Sequence, residues 1–187
     1  NVFGGATIAN STNSGAVAAG AGSSSVGGLA GRNEASASVS DSTNLAAGTV
    51  TVGNSATGIG GLVGMNTRRR PLTGSANRGG GAAGNGGKNG GGLGGYNYGG
   101  AVGGESTAAI MNSGNSGAVT AGANSAGVGG LVGKNDKGAN AVSITGSYNT
   151  GRVTSGLNSY NTGGLVGYNY GGAIAASRLA RAGQSVC

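Results

Sequence analysis

The chain has 187 residues and a formal charge of +7, from eleven Lys/Arg against four Asp/Glu, with 47 Gly, one Pro, one Cys and no His. Glycine without a Gly-x-y period excludes collagen, and the lack of His removes Ser-His-Asp, Cys-His and His-metal chemistry. A single cysteine, Cys187, leaves no disulfide framework or Cys-based metal site within the chain, and no segment approaches the roughly 20 apolar residues of a membrane helix.

Such a composition also suits a disordered tract, but disorder does not place aliphatic residues at fixed phase. This chain does. It begins with Asn1-Val2-Phe3-Gly4-Gly5, which aligns with Asn169-Tyr170-Gly171-Gly172 and reads as the tail of a partial repeat. The first whole repeat carries Ile8, Ser11, Asn13, Gly15, Val17, Gly20 and Val26, then the phrase Gly27–Asn33 (GGLAGRN). The phrase returns at Gly60–Asn66, Gly91–Asn97, Gly129–Asn135 and Gly163–Asn169, so repeats end near residues 33, 66, 97, 135 and 169.

Every upstream position keeps phase with it. The aliphatic column reads Ile8, Val39, Leu72, Ile110, Ile144; the serine column Ser11, Ser42, Ser75, Ser113, Ser147; the first asparagine column Asn13, Asn44, Asn77, Asn115, Asn149. Two glycine columns follow, Gly15/Gly48/Gly79/Gly117/Gly151 and Gly20/Gly53/Gly84/Gly122/Gly156. The third repeat is the poorest copy, with Gly81, Gly90 and Gly94 at aliphatic positions, and its Arg68–Lys88 stretch is expected to be the most mobile of the interior. A last partial repeat restarts at Ile174 and Ser177 and blurs towards Cys187.

A repeat of 31–38 residues with insertions confined to the same points means one supersecondary unit stacked on itself. The apolar runs are short, Val-rich and punctuated by Gly, which denies helices. The expected fold is all-β: a single parallel β-solenoid domain over residues 1–187, about five to six coils, one coil per repeat. Strands are expected around Ile8–Asn13, Ala16–Ala19 and Val26–Ala30 and at their later counterparts. The columns Leu29, Leu62, Leu93, Leu131, Leu165 should stack inward, and Asn33, Asn66, Asn97, Asn135, Asn169 should stack as amide ladders. The glycine columns should turn corners at positive φ or sit where a side chain has no room.

Catalytic chemistry is hard to assemble from these residues. The acids are Glu34, Asp41, Glu105 and Asp136; Glu34 and Asp136 share a corner but stand three coils apart, roughly 14 Å, too far for a glycosidase pair. The Gly-x-Gly strings open no strand–helix unit and so are not phosphate loops. No cofactor or metal is expected, and the chain is read as non-enzymatic. Arg68, Arg69 and Arg70 form one solvated basic loop, for which no nucleic-acid partner is expected and which belongs to the candidate contact surface. Tyr96, Tyr98, Tyr168 and Tyr170 sit at matching positions and make a candidate contact surface for a glycan or a host protein. One outward column, Ala18, Thr51, Ala82, Thr120, Thr154, keeps open an ice-binding face.

The phrase Gly-Gly-Leu-Val-Gly-x-Asn, followed by an aliphatic-x-x-Ser segment and Gly-x-Val, resembles the GLUG repeat. That resemblance implies a right-handed β-helix or similar solenoid of large bacterial surface and secreted proteins, such as filamentous-haemagglutinin-like adhesins and the non-catalytic parts of some secreted immunoglobulin-cleaving metalloproteases. It implies a structural or adhesive segment at the cell surface or outside the cell, without membrane insertion. The partners expected are the chain itself, stacked end to end into filaments, or a larger parent chain in which it is a passive spacer. Cys187 would then be available for a covalent link between copies.

Overall fold

The computed structural model describes residues 6–34, 37–67, 71–99, 108–175, 177–179 and 185–186. These form 28 short strands and no helix. The strands stack into five sheets, three of six strands and two of five, and every strand pairing joins equivalent residues of successive coils in parallel. The coils advance by 33, 31, 38 and 34 residues.

One coil defines the rest. In the first, β1 is Thr7–Ala9, β2 Thr12–Asn13, β3 Val17–Ala19, β4 Ser24–Gly27 and β5 Ala30–Asn33. Five strands per coil replace the three expected, for two local reasons. The expected strand over 8–13 breaks at Asn10, whose φ of 49° is left-handed; Asp41, Gly74, Asn112 and Gly146 repeat that corner in later coils. The expected strand over 26–30 breaks at the turn through Gly28 and Leu29. Among the described residues only Gly, Asn, Asp and Ser occupy the left-handed corners, the residues that tolerate them.

The aliphatic column holds its register: Ile8 pairs with Val39, Val39 with Leu72, Leu72 with Ile110 and Ile110 with Ile144. Val39, Leu72, Ile110 and Ile144 are fully buried, as are Leu62, Leu93 and Leu131. Together with Val63 and Val132 they make one continuous core, against which Ile8, Leu29 and Leu165 pack at its two ends. Burying each such side chain contributes about 1.5–3 kcal/mol.

A second core lies between the sheets that begin with β3 and β4, and it is split. Val50, Val52, Ala56 and Ile59 form one cluster; Val119, Ala121, Val128 and Val153 form another. The gap is the third coil, where Gly81 pairs with Val50 and Val119, and Gly90 with Ile59 and Val128. A Cβ added at either glycine would meet nothing within 4 Å. The opening is apolar and small, about 10 Å³, and is lined by Ile59, Val119 and Val128 beside the two glycines.

Three polar ladders run the length of the stack. Asn33 Nδ2 donates to Asn66 Oδ1 at 2.8 Å, Asn66 to Asn97 at 2.9 Å, Asn97 to Asn135 at 2.8 Å and Asn135 to Asn169 at 2.8 Å. The other column repeats this from Asn13 through Asn44, Asn77 and Asn115 to Asn149, at 2.7–2.8 Å. The serines form the third: the backbone N–H of Ser42 donates to Ser75 Oγ, and Ser75 to Ser113. Each hydroxyl in turn donates two residues back, as Ser75 does to the Thr73 carbonyl at 2.8 Å. The ladders satisfy buried amides that would otherwise each cost about 1–3 kcal/mol. Among the described residues one buried acceptor stays open, the Oδ1 of Asn33.

The two upstream glycine columns serve by close approach and not by positive φ. A Cβ at Gly117 would lie 1.9 Å from the Gly79 carbonyl oxygen, and one at Gly84 would lie 2.8 Å from the Asn54 nitrogen in the coil before. In the phrase, the second glycine leaves room for the first asparagine ladder, since a Cβ at Gly92 would meet the Asn115 amide at 2.2 Å.

Candidate contact surface

The sheets begun by β4 and β5 fold back on each other through the last glycine of the phrase. A Cβ on Gly64 would come within 2.5 Å of the Ser25 backbone, and one on Gly133 within 2.4 Å of Asn89. Facing those glycines is a column of left-handed residues, Ser25, Gly58, Asn89, Gly127 and Asn161. With no side chain between them, the two arms meet backbone to backbone. Their outer columns are therefore brought side by side.

On the second arm one column reads Arg32, Met65, Tyr96, Lys134 and Tyr168 in strict register. Tyr96 stacks on Tyr98 with ring centroids 5.2 Å apart, and Tyr168 tilts against Tyr170 at 6.3 Å. Lys134 lies between the pairs, its Nζ 5.0 Å from the Tyr96 ring and 5.6 Å from the Tyr168 ring. The same ammonium contacts Asp136 Oδ2 at 2.8 Å, and Tyr96 Oη donates to that oxygen at 2.9 Å. The backbone N–H of Gly138 donates to the other oxygen at 2.9 Å.

This network sets the local titration. Burial, reinforced by the hydrogen bond to the Asp136 carboxylate and its negative charge, pushes the Tyr96 phenol well above its usual range. Burial also pulls the Asp136 carboxyl upward, but Lys134, the Gly138 N–H and the Tyr96 hydroxyl outweigh it and hold the group below its ordinary value. Glu34, the other acid at this corner, is engaged separately, by Arg32 at 2.5 Å.

The four tyrosines of the sequence reading thus share one face but differ in freedom. Tyr96 and Tyr98 are half-buried and Tyr96 is committed to Asp136, whereas Tyr168 and Tyr170 are 38% and 56% exposed. Arg68, Arg69 and Arg70 lie outside the described residues, as do Phe3, Glu105 and Cys187. Of the Leu and Asn columns, Leu62, Leu93, Leu131, Asn33, Asn66, Asn97 and Asn135 are buried, Leu29 and Leu165 are half-buried and Asn169 is exposed.

The first arm adds residues that the sequence reading did not single out. Its outer column is Ser24, Thr57, Lys88, Ala126 and Tyr160. Ala126 is a notch between Lys88 one coil before and Tyr160 one coil after. Across from it stand Lys134 and Tyr168, and the four sides enclose an open groove of about 290 Å³ floored by Ala126 and Gly127. Aligning the repeats shows the column, but only the fold-back of the two arms shows that it faces the tyrosines.

The family model described as the GLUG motif matches residues 22–51, which span one turn of the stack from just before β4 into the third strand of the next coil. The chain carries the GLUG motif. No curated protein and no solved structure matches it. In GLUG terms, Gly-Gly-Leu makes the turn between the arms, the next Gly brings them into contact, and the Asn opens the ladder. Among the described residues, no three of His, Cys, Asp and Glu come together as a group that would hold a metal ion.

Proposed function

We propose that this GLUG solenoid is a non-enzymatic structural and adhesive segment of a surface or secreted protein. The observation that carries the reading is the continuity of the ladders. Residues that recur in every coil are spent on stacking, while outward columns such as Arg32, Met65, Tyr96, Lys134 and Tyr168 change chemical class from coil to coil. A fixed scaffold with a varied outer face is how repeat arrays present contact surfaces. A partner is then a surface glycan or a host protein, met on the tyrosine face, or the chain itself, stacked end to end. Antibody labelling of intact against permeabilised source cells tests the location: labelling only after permeabilisation refutes it. Electron microscopy of the purified chain tests the stacking, and a dilution-stable particle without fibres refutes that part.

A second reading rests on the sheet begun by β3. Thr51, Thr120 and Thr154 occupy one outward column, with Thr120 and Thr154 paired directly. Ala18 and Ala82 interrupt that row. An ice-recrystallisation assay decides it, and unchanged crystal growth removes the ice-binding reading.

A further inference from the structure

We propose that the groove over Ala126 and Gly127 is a binding site for a carboxylate-bearing glycan, a short stretch of uronic-acid polymer. The proposal rests on the adhesive reading above and gives that face its ligand class.

The groove is made by the register. Successive coils are about 4.8 Å apart, so Lys88 and Tyr160, two coils apart with Ala126 between them, stand roughly 10 Å apart as walls. Its volume, about 290 Å³, sits at the small end for ligand sites and suits one or two sugar rings. Two aromatic rings line it, Tyr160 from one arm and Tyr168 from the other, 59% and 38% exposed. Exposed rings with polar tips are the surfaces on which the apolar faces of sugars stack.

The polar groups around the rings are unspent. Asn89 and Asn161 flank Gly127 in left-handed geometry, and neither side-chain amide makes a hydrogen bond among the described residues. Each offers a donor pair and an acceptor, the set that reads sugar hydroxyls. Lys88 is exposed and has no ion pair among the described residues, since the two bridges there join Arg32 to Glu34 and Lys134 to Asp136. Lys134, already neutralised by Asp136, supplies orientation to the Tyr168 ring, so the charge left for a ligand is that of Lys88. A cation without a counter-ion beside two stacking rings selects an acidic sugar over a neutral one.

The test is a titration of the whole chain, followed by amide NMR, with a short oligogalacturonate, with its carboxyl-reduced neutral counterpart and with inorganic phosphate. The expected result is saturable binding of the oligogalacturonate, with shifts centred on residues 88–89, 126–127 and 160–161. The neutral oligomer should bind at least tenfold more weakly. Lys88→Gln should erase that preference, Ala126→Trp should fill the notch and abolish binding, and Lys137→Gln should change neither. All three positions carry partly or fully exposed side chains, and unchanged circular dichroism shows that each variant is folded. Equal binding of acidic and neutral oligomers, binding untouched by Ala126→Trp, or shifts with phosphate alone each overturn the proposal. So does no binding at millimolar sugar; if the same chain is labelled on intact cells, the structural reading stands while this one falls.

Discussion

The two cores of the coil receive the same insult in the third repeat and respond differently. On the leucine side, Gly94 stands where other coils have Val63, Val132 or Val166, yet the core there is unbroken. A Cβ on Gly94 would meet Ile110 Cδ1 at 3.8 Å, an ordinary contact, so a side chain of the next coil already lines that space. On the valine side, Gly81 and Gly90 are opposite each other in effect: both lack a side chain at the same level, and the core divides there. The space left by a lost side chain closes where a side chain of the next coil reaches it, as Ile110 does, and stays open where the lining side chains, Ile59, Val119 and Val128, do not reach.

That contrast predicts a ranking. Leu93→Ala, in the unbroken core and fully buried, should have the largest effect, a loss of about 2–5 kcal/mol in denaturant unfolding. If the third coil were already loose on both sides, the loss would be far smaller and the contrast would collapse.

Asn97→Ala comes next. It orphans Asn66 Nδ2, Asn135 Oδ1 and the Ala108 carbonyl together, for a cost of about 1–3 kcal/mol by thermal unfolding. Asn33→Ala is its control. The open acceptor vanishes while Asn66 Oδ1 becomes the new one, so the cost should be about 1 kcal/mol or less. Equal costs would mean that the ladder bonds contribute nothing beyond packing.

Filling the gap should have the opposite sign. Gly81→Val or Gly90→Val should stabilise by about 0.5–2 kcal/mol, since neither glycine has a positive φ and each faces open space. Gly94→Val should give a smaller gain, because the space beside its Cβ is already lined by Ile110 Cδ1 at 3.8 Å. The double variant Gly81→Val/Gly90→Val should fall short of the sum, as both side chains enter one gap. A rise in the unfolding midpoint for Gly94→Val matching that for Gly81→Val would break the comparison.

The smallest effect is acid sensitivity. The Asp136 carboxyl is held below its ordinary value of 3.8, so the unfolded chain binds its proton first as pH falls. Its contribution is therefore present above pH 3.8 and disappears as the pH drops through the depressed folded value. Asp136→Asn should lower stability at neutral pH, where the contribution is present, and flatten the stability–pH curve in that acidic window, so that the two curves converge at low pH. A variant curve parallel to that of the unmodified chain would show that the contacts with Lys134 and Tyr96 hold no differential proton affinity.

Much of the architecture was legible because it is written as columns. Ile8 through Ile144 and Asn33 through Asn169 recur at fixed phase, and stacking is the arrangement that makes such phase useful. The left-handed corners were not legible, since Asn10, Asp41, Gly74, Asn112 and Gly146 share a backbone conformation and not a residue type. The glycine columns were legible as necessary but not as to cause; only coordinates show that Gly117 yields to the Gly79 carbonyl. Of the contact face, the Tyr pairs were visible in the phrase. The groove was not, because Lys88, Ala126 and Tyr160 differ in every chemical respect and meet the tyrosines only through the fold-back at Gly133.

The asparagine and serine ladders share one sense: in each, the donor belongs to the earlier coil and the acceptor to the next. Side-chain amide dipoles aligned head to tail add along the axis, as peptide dipoles do along a helix. The solenoid is therefore a vector: along the stack each ladder amide turns its oxygen towards the coil before and its nitrogen towards the coil after. A group that meets the ladder from the side of the earlier coils therefore meets amide oxygens, and must arrive as a hydrogen-bond donor.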